Sequence, residues 1–268
     1  MKKNKMKILS FPKNKMKTKI NNYDSYNMNM KKSLRDKLFW LGLLDEPITT
    51  VVDFGCADGE LFKLIQEDFP FLNFYGVDNN PEMIKLAKEN FPDGVYIENL
   101  KQKQTTNKHA LLNFSSVWHE IYSYCTDKEI KEIAEAAFNG YTYVAIRDFM
   151  VSEKISRSTP TADYQKLIKK ADPRKVKDFE QIWGSLTENR NFVHFLMKYD
   201  YDVNWEREVR ENYFGVTLEQ FLKVIPHNYE IIYFCHYILP FTKMKIRKDF
   251  GINLVDNTHV KILLKRRD

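Results

Sequence analysis

Between residues 49 and 150 the chain alternates short apolar runs with amphipathic ones, and this alternation limits its possible folds more than any other feature. Runs rich in β-branched and aromatic residues predict strands over 49–54, 73–78, 95–98, 110–117 and 140–150. Helical patterns separate them. Residues 59–69 place Leu61, Leu64 and Ile65 on one face, 81–91 open with a proline behind Asn79 and Asn80, and 127–138 follow Thr126 as a cap. Consecutive parallel strands need a crossover long enough to hold a helix, so this spacing predicts a parallel sheet with helices on both faces. Upstream, Tyr26, Met30, Leu34, Leu38 and Leu41 recur every three or four residues and predict a helix over 24–44, ended by Pro47. Downstream, 151–226 read as helical and charged, and 229–241 and 259–265 as two further strands. The expected fold is α/β: a mostly parallel seven-stranded sheet with helices on both faces, plus a helical insertion between strands five and six. Its expected parts are a basic flexible tail (1–22), an N-terminal helix with the ligand-binding half of the core (23–150), a helical lid (151–226) and a closing strand pair (227–268).

Charge is distributed unevenly. Residues 1–37 carry 12 Lys and Arg against 2 acids, a net +10, whereas the remainder carries 30 against 34, a net −4. A basic arm of this kind can hold a polyanion by counterion release, while the acidic body favours a small ligand. The longest apolar stretches, such as 231–241, are interrupted by His236 and Pro240, so no membrane span is expected. Cys56, Cys125 and Cys235 are far apart and form no CxxC pair, which points to a reducing, cytoplasmic setting without a disulfide framework.

The chemistry is concentrated at the end of the first strand. Val51-Val52-Asp53-Phe54 runs into Gly55-Cys56-Ala57-Asp58-Gly59 and then a helix. Gly55 permits the bend, Gly59 would let the helix approach a ligand closely, and the helix N-terminus presents free N–H groups. Nineteen residues beyond Gly59, Asp78 closes the second strand, where an acid can accept both hydroxyls of a ribose. A nucleoside-containing cofactor across these strand tips is the expectation. The turn lacks the central glycine of the dinucleotide fingerprint and carries Asp53 and Asp58, with Glu60 just beyond. Acids repel a pyrophosphate but suit an ammonium and a sulfonium, so charge sign favours S-adenosylmethionine over NAD.

The turn resembles motif I of the class I (Rossmann-like) S-adenosylmethionine-dependent methyltransferases, acid-x-Gly-x-x-x-Gly, and Val77-Asp78-Asn79 resembles their second motif. The order of elements over about four-fifths of the chain is similar as well. The resemblance implies that Asp53, Gly55, Ala57 and Gly59 wrap the methionine moiety and that Asp78, with Asn79, holds the ribose. It further implies an adenine contact at Glu98-Asn99, Asn99 being the candidate, and a cofactor contact at Ser115.

Acceptor groups are expected at the carboxyl ends of strands four and five. His119 is a candidate general base, Glu120 its orienting partner or a contact for a cationic acceptor, and Tyr122 and Tyr124 candidate pocket walls. Arg147 could meet an anionic substrate group, or pair with Asp148 or Glu120. The segment from 113 to 124 is not the Asn/Asp-Pro-Pro-Tyr motif of amino methyltransferases acting on bases or glutamine. Ser123 stands where H-E-x-x-H would need histidine, and His194, His227, His236 and His259 lie singly among apolar neighbours, so no metal is expected. Aromatics between Trp183 and Phe214 alternate with charge; a lid over the acceptor is the preferred reading, base stacking the second.

The expected function is methyl transfer from S-adenosyl-L-methionine to an O or N acceptor, with small molecule and RNA both open and the oligomeric state undetermined. A catalytically silent methyltransferase-fold adaptor is the alternative, and an NAD-linked oxidoreductase ranks below it.

Overall fold

The computed structural model describes residues 34–97 and 107–267. In chain order these form α1 (Leu34–Lys37), β1 (Thr50–Phe54), α2 (Glu60–Asp68), β2 (Asn73–Val77), α3 (Pro81–Asn90), β3 (Val95–Ile97), β4 (Asn107–Ser115), α4 (Trp118–Tyr124), α5 (Asp127–Ala137) and β5 (Tyr141–Phe149). The second half contains α6 (Thr161–Lys170), α7 (Pro173–Trp183), α8 (Asn189–Lys198), α9 (Trp205–Glu208), α10 (Leu218–Leu222), β6 (Tyr229–Tyr237), α11 (Pro240–Phe250) and β7 (His259–Arg266). The tail 1–22, most of the basic arm and Glu98-Asn99 lie outside the described residues.

The seven strands lie in the order β3-β2-β1-β4-β5-β7-β6. β1 pairs in parallel with β2 and β4, β2 with β3, and β4 with β5, while β7 runs antiparallel to both β5 and β6. The expected mostly parallel sheet is thus present, with one reversed strand. Chain direction across the sheet switches between β1 and β4, and ligands of open α/β sheets settle beyond the carboxyl ends of strands at such a point.

Alternation along the strands sorts the core. On one face Val52, Leu112, Phe114, Val144, Ile146 and Ile262 pack with Ile133 and Ala134 of α5 and with Phe138 just beyond it. On the other, Val51, Leu111, Tyr143, Ala145 and Leu263 meet Trp40, Leu61, Phe62 and Ile65. A third cluster joins Leu167, Phe179, Phe195 and Phe214 of the insertion to Phe250 and Ile252, so the insertion has a core of its own against the end of β5.

One expected element is corrected. Residues 229–241 read as one strand, but β6 stops at Tyr237 and Pro240 opens an eleven-residue helix that ends at Gly251 with φ +69°. Proline has no N–H for a ladder and its fixed φ suits the first helical turn. The described part of the expected 24–44 helix is a single turn at α1, followed by turns that seat Trp40 in the core. Among the described residues no helix is long and apolar enough to cross a membrane.

Candidate active site

The bend after β1 is held by the tip of β2. Gly55 (φ +85°) and Cys56 donate their N–H groups to the Val77 carbonyl at 2.7 and 3.1 Å. Ala57, a non-glycine residue at φ +46°, donates to Asp78 Oδ2 at 3.0 Å, and Asp78 Oδ1 accepts from Asn80 N–H at 2.8 Å. Asp78 therefore clamps the turn in a conformation that an alanine rarely adopts.

The two glycines serve different ends. A Cβ on Gly55 would stand 2.5 Å from Val117 Cγ2, where β4 gives way to α4. Gly55→Ala is therefore expected to lower stability by about 1–3 kcal/mol, from left-handed strain and a displaced Val117; thermal melts with and without S-adenosylhomocysteine read the effect. A Cβ on Gly59 would lie 3.1 Å from the Tyr96 hydroxyl and 3.3 Å from Ala87 Cβ. Its N–H donates to the Cys56 carbonyl at 3.0 Å. Gly59 makes room for α3 and the Tyr96 hydroxyl, a packing role beside the expected close helix–ligand approach.

Beyond the bend lies a hollow walled by Leu34 and Lys37 of α1, Asp53, the turn 55–58, Glu60, Leu61 and Ser115. Asp53 is buried, and Asn113 Nδ2 donates to it at 2.7 Å. Burial pushes its carboxyl up to about 6, against the pull of Asn113 and Lys37. Lys37, the one basic wall residue among those described, is also buried. Burial and the nearby Arg147 push its ammonium down to about 8, against Asp53, Asp58 and Asp148. Two buried polar atoms on the sheet face beside Asp53, Asn113 Oδ1 and Ser115 Oγ, have no partner among the described residues. Native interiors rarely leave such atoms unmet, so they mark a place for a polar ligand. Asn79 is half-buried at the β2 tip, and Asn80, not Asn79, caps α3 through Glu82 N–H at 3.0 Å.

The tips of β4 and β5 are fastened by Asp148. One of its oxygens accepts from Val117 and Trp118 N–H at 2.7 and 2.5 Å, which caps α4 from a neighbouring strand. The other accepts from Phe149 N–H at 2.7 Å and meets His119 Nδ1 at 2.6 Å. His119 Nε2 lies 3.3 Å from Glu211 Oε1, at the edge of the insertion. Burial pulls the imidazole down, but Asp148 and Glu211 outweigh it and raise it to about 10. Both nitrogens of His119 face carboxylates that favour its charged form, which does not suit the expected general base. Burial raises Glu211, yet His119, Arg207 and Lys198 bring it down to about 2. Glu120 sits 4.0 Å from Arg207, which also pairs with Glu208 and Glu211 at 3.2 and 3.5 Å. His119, Glu120 and Glu211 bring ligand-type atoms within 4.8 Å of one another, but two cations, His119 and Arg207, already neutralise the cluster.

Arg147 pairs with neither Asp148 nor Glu120. Adjacent strand residues point to opposite faces, so Asp148 turns away from it. Its Nε donates to Asp36 Oδ2 at 2.9 Å and its Nη1 to Ser116 Oγ at 2.9 Å, with Ser116 itself at φ +63°. Asp36 also accepts from the Tyr237 hydroxyl and pairs with Lys261 Nζ, both at 2.5 Å.

Sequence reasoning thus located Asp53, Gly55, Ala57, Asp78, Ser115 and Arg147 around one region and missed Asp36, Lys37, Asp148, Glu211 and Lys261. Of the missed residues only Asp148 had a local signal, its place at a strand tip beside Arg147. The expected pocket walls Tyr122 and Tyr124 are half-buried on α4, and of the aromatics expected as a lid or stacking surface, Phe192, Phe195 and Tyr213 are buried in the insertion core. His194 and His259 are buried, packed histidines.

Residues 51–139 match the family described as methyltransferase domain. Among solved structures the chain is similar to the plantazolicin methyltransferase BpumL in complex with a triazolic desmethylPZN analog and SAH, at 13% identity, over 92% of this chain and 89% of that one, with a TM-score of 0.52. A similar likeness holds for the plantazolicin methyltransferase BamL in complex with the same class of analog and SAH (12% identity, 92% and 88% coverage, TM-score 0.52). The pyocyanin biosynthetic protein PhzM matches at 13% identity over 91% of this chain and 58% of its own, with a TM-score of 0.51. At such identities the shared property is the fold.

Proposed function

We propose that this chain, which has the class I S-adenosylmethionine-dependent methyltransferase fold, moves the methyl group of S-adenosylmethionine to an oxygen or nitrogen of a small or medium-sized acceptor. The observation that carries this reading is the Asp78 clamp at the mouth of an acid-lined hollow, placed at the switch point of the sheet. A carboxylate can accept about four hydrogen bonds, so holding the turn is compatible with holding a ribose.

The hollow fits the group in charge and in polar atoms. Asp53 stands for the ammonium, Lys37 for the methionine carboxylate, and Asn113 and Ser115 offer buried acceptors left unpaired among the described residues. The sulfonium supplies an already activated methyl, so the chain's task is alignment for in-line displacement and exclusion of water. Asp148 and His119 carry out the alignment on the acceptor side by locking α4 to β5 and to the insertion. The helices of 151–226 act as the lid; Phe149 of β5 stacks on Tyr213 of the insertion with centroids 4.3 Å apart, which ties the lid to the strand tip. The burial of Phe192, Phe195 and Tyr213 supports a small acceptor over base stacking. So do the relatives, two solved with desmethylPZN analogs and one assigned to pyocyanin biosynthesis.

Calorimetry with S-adenosylmethionine, S-adenosylhomocysteine and NAD tests the reading. The first two are expected to bind and NAD is not; heat from NAD alone would refute it. The ammonium needs an ionised Asp53, whose carboxyl titrates at about 6 among Lys37, Asn113 and Asp78. Affinity for S-adenosylhomocysteine should therefore be highest between about pH 6 and the value near 8 at which Lys37 loses its proton, and weaken below pH 6, approaching tenfold per pH unit at about 1.4 kcal/mol each. A flat profile across this range removes Asp53 from the ammonium.

A further inference from the structure

We infer that Arg147, Lys261 and Tyr237 form a docking site for a carboxylate of the methyl acceptor, and that Asp36 holds this place until the acceptor arrives. The inference rests on the methyltransferase reading and narrows it to acidic acceptors.

The cationic half of the site is built into the sheet. Arg147 of β5 and Lys261 of β7 are paired in register, so their side chains share one face, and Ser115 of β4 is the register partner of Arg147 on the other side. Ser115 lines the cofactor hollow, and its Oγ is buried without a partner among the described residues. Neighbouring strands lie about 4.8 Å apart, so a group on Arg147 stands within a side chain's reach of the hollow. That is the distance scale an acceptor must bridge.

Arg147 uses two of its three nitrogens, Nε on Asp36 and Nη1 on Ser116. It is 3% exposed, yet among the described residues its Nη2 has no hydrogen-bond partner. A guanidinium matches a carboxylate fork to fork, through two parallel N–H bonds. Asp36 makes only one, to Nε, because its other oxygen is drawn to Lys261. A buried charged donor left unmet beside a carboxylate that is turned the wrong way is a poor end state for a structural ion pair. It is what a place-holder leaves behind. Asp36 sits on a four-residue helical turn, whereas Arg147, Tyr237 and Lys261 stand on strands. An incoming carboxylate that takes Nε and Nη2 together would release Asp36, and α1 with it, from the mouth of the hollow.

Benzoate and its neutral analogue benzamide serve as probes, titrated by calorimetry into the full chain saturated with S-adenosylhomocysteine. Benzoate is expected to bind at least tenfold more tightly than benzamide. Asp36→Ala and Asp36→Asn should each strengthen benzoate binding about fivefold or more, because the internal competitor is gone or uncharged. Arg147→Gln should weaken it at least tenfold, and Lys261→Met by a smaller factor, which keeps the test open if the arginine variant folds poorly. Equal affinity for the two probes, no gain on removing the Asp36 charge, or undiminished binding in both cation variants overturns the proposal. S-adenosylhomocysteine binding is recorded in the same samples: its absence from the parent chain would refute the methyltransferase reading, whereas its presence with no benzoate discrimination refutes the docking site alone.

Discussion

Replacing Asp78 with alanine should weaken S-adenosylhomocysteine binding by on the order of 100-fold, the largest effect on the cofactor expected from a single side chain. Bonds to a charged acceptor contribute about 1.5–3 kcal/mol each, and roughly 1.4 kcal/mol is a factor of ten in affinity. Loss of the ribose hydroxyls alone reaches that scale. The turn suffers too, because Ala57 N–H loses its acceptor and its left-handed backbone loses the bond that holds it. Asp78→Asn keeps one acceptor oxygen and should fall between parent and alanine. Melting temperatures should move far less than affinity, since the clamp sits at a partly buried loop rather than in the core. Calorimetry beside thermal melts separates the two readouts, and affinity retained within about threefold would remove Asp78 from the site.

Asp148→Asn is expected to have the largest effect on stability. The carboxylate serves two N–H groups of α4, its neighbour's N–H and the His119 imidazolium, all in the buried interior. An amide can still accept from the backbone but cannot balance His119, and an unbalanced buried ion pair costs about 3–5 kcal/mol. At roughly 2–4 °C per kcal/mol for a chain of this size, the melting temperature should drop by roughly 6–20 °C. The pH dependence gives the cause away. His119 is raised to about 10 in the folded chain, so its contribution is complete below its ordinary value near 6.5 and fades as pH climbs toward 10. Glu211 is lowered to about 2, so its share is complete above its ordinary value of 4.5 and fades as pH falls. The difference between parent and variant should be widest between about pH 4.5 and 6.5 and narrow on the alkaline side. A constant difference across that range would mean that His119 is not held as a cation.

The two residues differ in how plainly the chain announces them. Asp78 follows a strand pattern at a fixed distance from a glycine turn, so its place was legible, although its bonds to Ala57 and Asn80 were not. Asp148 was visible only as half of an Arg-Asp pair, and the natural assumption that the two pair with each other is wrong because they face opposite sides of the sheet. Gly59 is a milder case. Its position in the motif was readable, but its neighbours Ala87 and Tyr96 were not, and they are what its missing side chain accommodates. Pro240 was read as the interruption of a strand, although it begins a helix whose polar surface shows no apolar stripe to betray it.

What the amino-acid order settles unaided is whatever repeats locally: the strand and helix periods, the seven-stranded α/β plan, the glycine bend after Asp53 and the acid closing the second strand. These follow from contacts within a few residues or from steric rules that each residue carries with it. What folding alone decides is which charges meet. Asp36 reaches Arg147 across 111 residues and Tyr237 across 201, and His119 reaches Glu211 across 92. Whether an imidazole is a base or a buried cation depends on the carboxylates that packing brings within hydrogen-bond distance of it and on the water that packing removes. Neither is encoded by any period along the chain.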